Sequence, residues 1–134
     1  MKKTAILLFA AVLLLGLGLA AWGSAPARHE APAYQKITQE EAKERMDTQE
    51  ALVLDVREQS EYDSGHIPGA VLLPVGSIDQ ETAAAVIPSL DTPVLVYCRS
   101  GNRSKTAAST LAQLGYTAVY EFGGINSWPY EIEK

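Results

Sequence analysis

The chain has 134 residues, of which 20% are charged, and its formal net charge is −5. This length suits one domain with a short additional segment. The acidic balance excludes a general affinity for nucleic acid or anionic lipid, because both are polyanions. The single cysteine excludes an internal disulfide, so its thiol is either part of the packing or a reactive group.

The N-terminal segment is predicted to direct export. Lys2 and Lys3 precede an uncharged apolar run over residues 5–21, and small residues follow. This order is typical of a secretory signal, with an A-x-A-like cleavage site at residues 25–27. The run also reaches the short limit for a spanning helix, so retention as a membrane anchor is the alternative. Both alternatives predict a periplasmic or extracellular domain. Loss of residues 1–27 removes two of the 11 basic residues and none of the 16 acidic ones, so the net charge becomes −7.

The rest of the chain is predicted to be a linker over residues 28–35 and one domain over residues 36–134. Strands are expected at residues 51–56, 70–73, 93–97 and 118–122, where apolar and β-branched residues cluster. Helices are expected at residues 38–47 after the capping sequence TQEE, at 77–90 with Ser77 as a cap, at 104–114, and briefly after Gly124. Strands that alternate with helices predict an α/β fold, a small parallel sheet flanked by helices on both faces.

The loop that follows the strand at residues 93–97 carries the candidate chemistry. It begins with Cys98, has the sequence CRSGNRS, and leads directly into a helix. In open α/β sheets, ligands bind at the carboxyl ends of the strands. Loop amides and a helix N-terminus both favour negative charge there, and Arg99 and Arg103 add positive charge. These surroundings predict a Cys98 thiolate at neutral pH rather than an inert buried cysteine.

Four segments together resemble the rhodanese family. LDVRE at residues 54–58 and GHIPGA at residues 65–70 resemble its first signature, with Glu61 and Tyr62 between them. YCRSGNRS at residues 97–104 resembles its active-site loop. GGINSW at residues 123–128 resembles its closing segment. The resemblance covers about residues 36 to 131, with the segments in the family's order and spacing.

The resemblance implies a thiosulfate sulfurtransferase without metal or organic cofactor. Its nucleophile would be Cys98, which takes sulfur from a small anionic donor, thiosulfate or a persulfide, and passes it to cyanide or a thiol. Such covalent catalysis proceeds in two half-reactions. The residues implied to bind the donor are Arg99, Ser100, Gly101, Asn102, Arg103 and Ser104.

Four further matched residues are interpreted as structural support near the site. Asp55 and Arg57 are expected to form an ion pair that orders the loop, although an arginine beside an anion site could also bind substrate. His66 lies among turn residues and is expected to bond to loop backbone rather than act as a base. Trp128 is expected to form a wall of the pocket or part of the core.

Two other functions fit the same sequence. Rhodanese domains also serve as binding modules or as persulfide carriers that do not turn over small donors. Phosphatases and arsenate reductases use a similar loop, but the phosphatase form has five residues between cysteine and arginine. Here four residues separate Cys98 from Arg103. The shorter loop suits a single added sulfur better than a tetrahedral oxyanion.

Overall fold

The computed structural model describes residues 33–134. The predicted signal or anchor over residues 1–27 lies outside the described residues, as does most of the predicted linker. Between residue 33 and the last residue, no helix is both long enough and apolar enough to cross a membrane.

The centre of the domain is a five-stranded, entirely parallel sheet. Its strands are β1 (Gln35–Lys36), β2 (Leu52–Asp55), β3 (Val71–Leu72), β4 (Val94–Cys98) and β5 (Val119–Gly124), in the order β1-β5-β4-β2-β3. The sequence predicted four of these strands. It missed β1, whose two residues are both exposed and form no apolar run. The first residue of β1 lies in the predicted linker, because Gln35 already pairs with Tyr120 of β5. The domain therefore begins at least one residue earlier than predicted.

Four helices connect the strands: α1 (Gln39–Thr48), α2 (Gln59–Asp63), α3 (Gln80–Val86) and α4 (Asn102–Gln113). Short 3-10 turns follow at Val75–Ser77 and Ile125–Ser127. Helix α1 begins as predicted, because the Thr38 hydroxyl accepts a hydrogen bond from the Glu41 amide at 3.0 Å. That bond satisfies one of the free amides at the helix start.

Several predicted boundaries are wrong. The helix expected over residues 77–90 is shorter, since Asp79 and Thr82 form a reciprocal capping box and Ser77 belongs to the preceding 3-10 turn. Cys98 is the last residue of β4 rather than the first of the loop. Helix α4 begins two residues earlier than predicted, at Asn102. The loop between β4 and α4 therefore contains only Arg99, Ser100 and Gly101.

Alternation along the strands produces two cores, one on each face of the sheet. Val94, Val96 and Cys98 pack with residues of α3 and α4. Leu95 and Tyr97 face the other side, where the buried Ala42 of α1 packs. Helices therefore cover both faces, as the sequence predicted. This alternation also means that the neighbours Tyr97 and Cys98 point to opposite faces.

Candidate functional site

The short loop after β4 surrounds the sulfur of Cys98 with backbone donors. The Gly101 amide donates to Cys98 Sγ at 3.0 Å, and the thiol is fully buried. Gly101 is the N-cap of α4 and has φ of 101°, in the left-handed region that favours glycine. The loop can therefore turn within three residues and direct its amides at the sulfur.

Hydrogen bonding outweighs burial in setting the ionisation of Cys98. Burial raises the pKa of a thiol because it disfavours the charged form. The Ser104 hydroxyl and the backbone amides of Ser104, Gly101 and Ser100 act in the opposite sense. Together they hold the pKa of Cys98 below its ordinary value. A thiol in such surroundings has the character of a reactive group rather than of simple core packing.

The six residues predicted to bind the donor do not behave alike. The Gly101 amide bonds to the sulfur, and the amides of Ser100 and Ser104 favour its charged form. The side chains of Arg99 and Asn102 lie at the surface. The main chain of Arg99 is fixed instead, since its carbonyl accepts from the Asn126 amide at 3.1 Å. A direct contact of Arg99 or Asn102 with a donor stays a prediction.

Arg103 forms an ion pair with the carboxylate of Glu61. Its guanidinium makes two hydrogen bonds to Glu61 of α2, at 3.0 and 2.8 Å. The Arg103 bonds lower the pKa of the Glu61 carboxyl. This is a bidentate interaction, in which the planar guanidinium group donates two hydrogen bonds to one carboxylate. The ion pair connects α4 to α2 beside the loop. Binding of a donor anion by Arg103 stays a prediction, and it would require the anion to share the guanidinium with Glu61.

A buried network stands behind the loop on the opposite face of the sheet. Arg57 and Asp55 form the expected ion pair, 2.7 Å between Nη2 and Oδ2, and Tyr97 donates its hydroxyl to the same Oδ2 at 2.7 Å. Arg57 also donates to the Gly65 carbonyl, and the Ile67 amide donates to the Tyr97 hydroxyl. Burial and the bond to Asp55 raise the pKa of Tyr97. The network thus joins β2, β4 and the segment that carries His66.

His66 and Trp128 occupy this same face, away from the sulfur of Cys98. The His66 ring lies 2.9 Å from the Tyr62 carbonyl through Nδ1 and stacks on the Tyr62 ring. Trp128 packs in the core against Phe122 and lines an open groove of about 730 Å³. Its indole nitrogen donates to the Glu131 carbonyl. Both residues have structural contacts, and neither contacts Cys98 through a hydrogen bond.

Loss of Asp55 is expected to destabilise the protein strongly. The change Asp55→Ala leaves the buried Arg57 uncompensated, which costs about 3–5 kcal/mol of unfolding free energy. Asp47 provides the matched control, because its ion pair with Lys43 is largely exposed. Asp47→Ala should cost at most about 1 kcal/mol. Urea unfolding measures both. Equal losses for the two variants would contradict a supporting role for the Asp55–Arg57 pair.

Sequence reasoning missed one buried carboxylate that lies beside the loop. Glu121 of β5 is fully buried, and its Oε1 accepts from the Ser104 hydroxyl at 2.7 Å and from the Gly123 amide at 2.8 Å. A signal was present in the sequence, because a single acidic residue stands between apolar residues of the strand predicted at residues 118–122, and a glutamate is rarely buried without a partner. In residues 33–134, no three side chains of His, Cys, Asp or Glu are grouped to hold a metal ion.

Comparisons with known proteins agree with this fold. A family model described as "Rhodanese-like domain" matches residues 38–130. The chain therefore belongs to the rhodanese-like domain family. A relative from Bacillus subtilis (strain 168), named "Putative sulfur carrier protein YrkF", is 31% identical over 113 residues. That match covers 83% of this chain and 60% of the relative, so the chain spans less than two thirds of that protein's length.

Two solved structures illustrate the structural similarity. A structure described as a rhodanese with anions from E. coli is 32% identical, with a TM-score of 0.57, and the match covers 63% of this chain and 98% of that one. A rhodanese-related protein from Thermoplasma volcanium is 31% identical, with a TM-score of 0.63, and the match covers 75% and 98% of the two chains. Both likenesses support the parallel α/β architecture described above.

Proposed function

We propose that the protein is a sulfurtransferase that carries sulfane sulfur as a persulfide on Cys98. In the first half-reaction the Cys98 thiolate attacks the outer sulfur of thiosulfate or a related donor. A sulfur–sulfur bond forms to Cys98, the bond within the donor breaks, and sulfite leaves with the bonding electron pair. In the second half-reaction cyanide or a thiolate attacks the outer sulfur, and the Cys98 thiolate is released.

The observation that carries this proposal is the set of backbone amides around the sulfur. The Gly101 amide lies 3.0 Å from Sγ, and those of Ser100 and Ser104 also favour its charged form. Donors already directed at a reacting sulfur stabilise negative charge without reorganisation during the reaction. They would stabilise the attacking thiolate, and then the thiolate that leaves in the second half-reaction.

The direct test is a mass measurement on the intact protein. Incubation with thiosulfate should add one sulfur atom to the chain, and cyanide should remove it as thiocyanate. Because Cys98 is the only cysteine, the modification has one thiol on which to occur. Absence of the added sulfur with any sulfane donor would overturn the proposal.

A persulfide carrier is the second candidate function. The observation in its favour is the complete burial of Cys98, which limits access to small donors in solution. The name of the Bacillus subtilis relative points the same way. A carrier would accept sulfur from a protein persulfide faster than from thiosulfate, and it would show little steady-state turnover with cyanide. Rates of sulfur loading from the two kinds of donor therefore distinguish an enzyme from a carrier.

Phosphatase chemistry is less well supported by the loop. Three residues separate Cys98 from the first residue of α4, and the Gly101 amide closes on the sulfur itself. In addition, Arg103 bonds to Glu61 rather than extending over the loop. A narrow ring of amides around one sulfur leaves little room for a tetrahedral oxyanion. Hydrolysis of an aryl phosphate faster than sulfur transfer would reverse this preference.

We also propose that the domain works outside the cytoplasm. The support is the pair Lys2 and Lys3 followed by the uncharged run over residues 5–21. Cell fractionation of the full chain should find the domain in the periplasmic, extracellular or membrane fraction. N-terminal sequencing should begin at Arg28 if the segment is cleaved, and at the original N-terminus if it is retained as an anchor. Cytoplasmic protein with an intact N-terminus would contradict both forms of the proposal.

A further inference from the structure

The carboxylate of Glu121 is an unusual group to find under this loop. It is fully buried, and its Oε1 accepts two hydrogen bonds, one from the Ser104 hydroxyl and one from the Gly123 amide. Its other oxygen, Oε2, is buried without a hydrogen-bond partner among residues 33–134. The ion pairs in this part of the chain do not include Glu121. A buried charge without a cation is costly, so such a group usually has a specific reason to be present.

The Ser104 hydroxyl connects Glu121 to the nucleophile. Its oxygen lies 2.7 Å from Glu121 Oε1 and 3.4 Å from Cys98 Sγ. A hydroxyl has one proton to donate and two lone pairs that accept. When Ser104 donates to Glu121, its lone pairs face the sulfur and can accept only from the thiol. When Ser104 donates to the sulfur, it supports the thiolate, and Glu121 loses that donor. The sulfur and the carboxylate therefore compete for one hydroxyl proton.

The surrounding charges do not neutralise this pair. The guanidinium of Arg103 is bonded to Glu61, and its charge is further favoured by Cys98 and Glu58. Lys36 of β1 pairs in register with Glu121 but forms no ion pair with it in the described structure. The polar side chain that α1 places near this end of β5 is the uncharged Gln39.

The Arg99 side chain, on the loop itself, is exposed. No cation is therefore bonded to either member of the pair within residues 33–134. Two negative charges separated by one hydroxyl in a buried site oppose each other's ionisation.

We propose that Cys98 and Glu121 form a coupled acid pair that shares one proton through Ser104, so that Glu121 controls the ionisation of the nucleophile. In one form Cys98 is a thiol, Glu121 is a carboxylate and Ser104 donates to Glu121. Conversion to the other form breaks the S–H bond as Ser104 Oγ takes that proton and passes its own to Glu121 Oε1. The result is a thiolate, a neutral carboxyl and a serine that donates to the sulfur. No oxidant or reductant is involved.

Glu121 is accordingly a positioning residue, since it acts through Ser104 and does not touch the donor. The inference deepens the proposed function, because it rests on Cys98 as the nucleophile of the same site. It does not require that sulfur be transferred, since it concerns the ionisation of the thiol alone. The two proposals can therefore fail separately.

The test is the pH dependence of Cys98 alkylation by iodoacetamide, from about pH 4 to about pH 10, a range that spans the ordinary pKa values of both groups. The wild-type rate should rise in two steps, because interacting groups titrate together.

Glu121→Gln keeps the shape of the side chain but removes the charge. Its amide can donate to Ser104 and leave the hydroxyl for the sulfur. The profile should become one step, with a midpoint lower by at least about 1 pH unit, and alkylation below the wild-type midpoint should be about 10-fold faster.

Glu44→Gln is the matched control, because Glu44 is an exposed carboxylate on α1. Its alkylation profile should overlay that of the wild type. Ser104→Ala tests the connection, since without the hydroxyl the Glu121→Gln change should shift the midpoint by less than half as much. A shift of the same size in both backgrounds would show that Ser104 is not the link and would overturn the shared-proton arrangement.

An unchanged or raised midpoint in folded Glu121→Gln would overturn the inference. If that variant does not fold, the wild-type profile alone decides, because a single step contradicts a coupled pair. A shifted profile in a protein that takes no sulfur from any donor would remove the proposed function and leave the acid pair standing. Sulfur transfer by a protein whose alkylation profile is the same in Glu121→Gln as in the wild type would overturn the acid pair and leave the proposed function standing.

Discussion

Replacement of Cys98 by serine is expected to abolish sulfur transfer and to leave the fold intact. A hydroxyl fits the space of the thiol and can accept the same Gly101 hydrogen bond, but it cannot hold a persulfide. Loss of a nucleophile removes the covalent route altogether, so activity should fall by at least about 10³-fold. The thiosulfate–cyanide assay measures the loss, and the mass of the incubated variant should show no added sulfur.

The control for this variant lies on the helix that follows the loop. Thr106 is exposed on α4, so Thr106→Ser should retain wild-type activity. Thermal unfolding should show both variants folded, because neither substitution opens a cavity larger than a methyl group or removes a buried ion pair. Sulfur transfer retained in Cys98→Ser would exclude Cys98 as the sulfur carrier.

Substitution of Gly124 by alanine should displace the loop and reduce sulfur transfer by about 100-fold, since small misplacements at a reacting centre have effects of that size. The reason is close approach rather than backbone conformation, because Gly124 has an extended φ of −130°. A Cβ added there would lie 2.0 Å from the Arg99 carbonyl oxygen and 2.6 Å from the Ser100 nitrogen. Both atoms are main chain, so the loop itself must move.

Gly76→Ala is the matched control for this change. Gly76 is exposed in the turn Val75–Ser77, and a Cβ added there meets nothing within 4 Å. Activity in this variant should stay within about twofold of the wild type, as is usual for surface changes away from such features. If Gly124→Ala is equally active, the contact between β5 and the loop does not fix the site.

The sequence by itself determined the architecture and the position of the cysteine that we propose as the nucleophile. Apolar runs such as residues 93–97 and capping residues such as Thr38 are local signals, and each depends on neighbours within a few positions. They located four strands, the alternation with helices and the cysteine at a strand end. Local signals predicted the ends of elements less well than their presence. The start of α3, for example, depends on which of several polar residues caps the helix. The side chain of Asp79 decided that boundary.

Tertiary structure alone decided which side chains meet around the sulfur. The pairing of Arg103 with Glu61 joins residues 42 positions apart, and Ser104 meets Glu121 across 17 positions. Nothing local distinguishes an arginine that will contact an anion from one that will contact a carboxylate. The alternation of side chains along the strands likewise turns Asp55 and Tyr97 to the face opposite Cys98, where Trp128 also packs. Long-range contacts of this kind depend on the register of β4 against β5 and on the packing of α4, which no short stretch of the chain encodes.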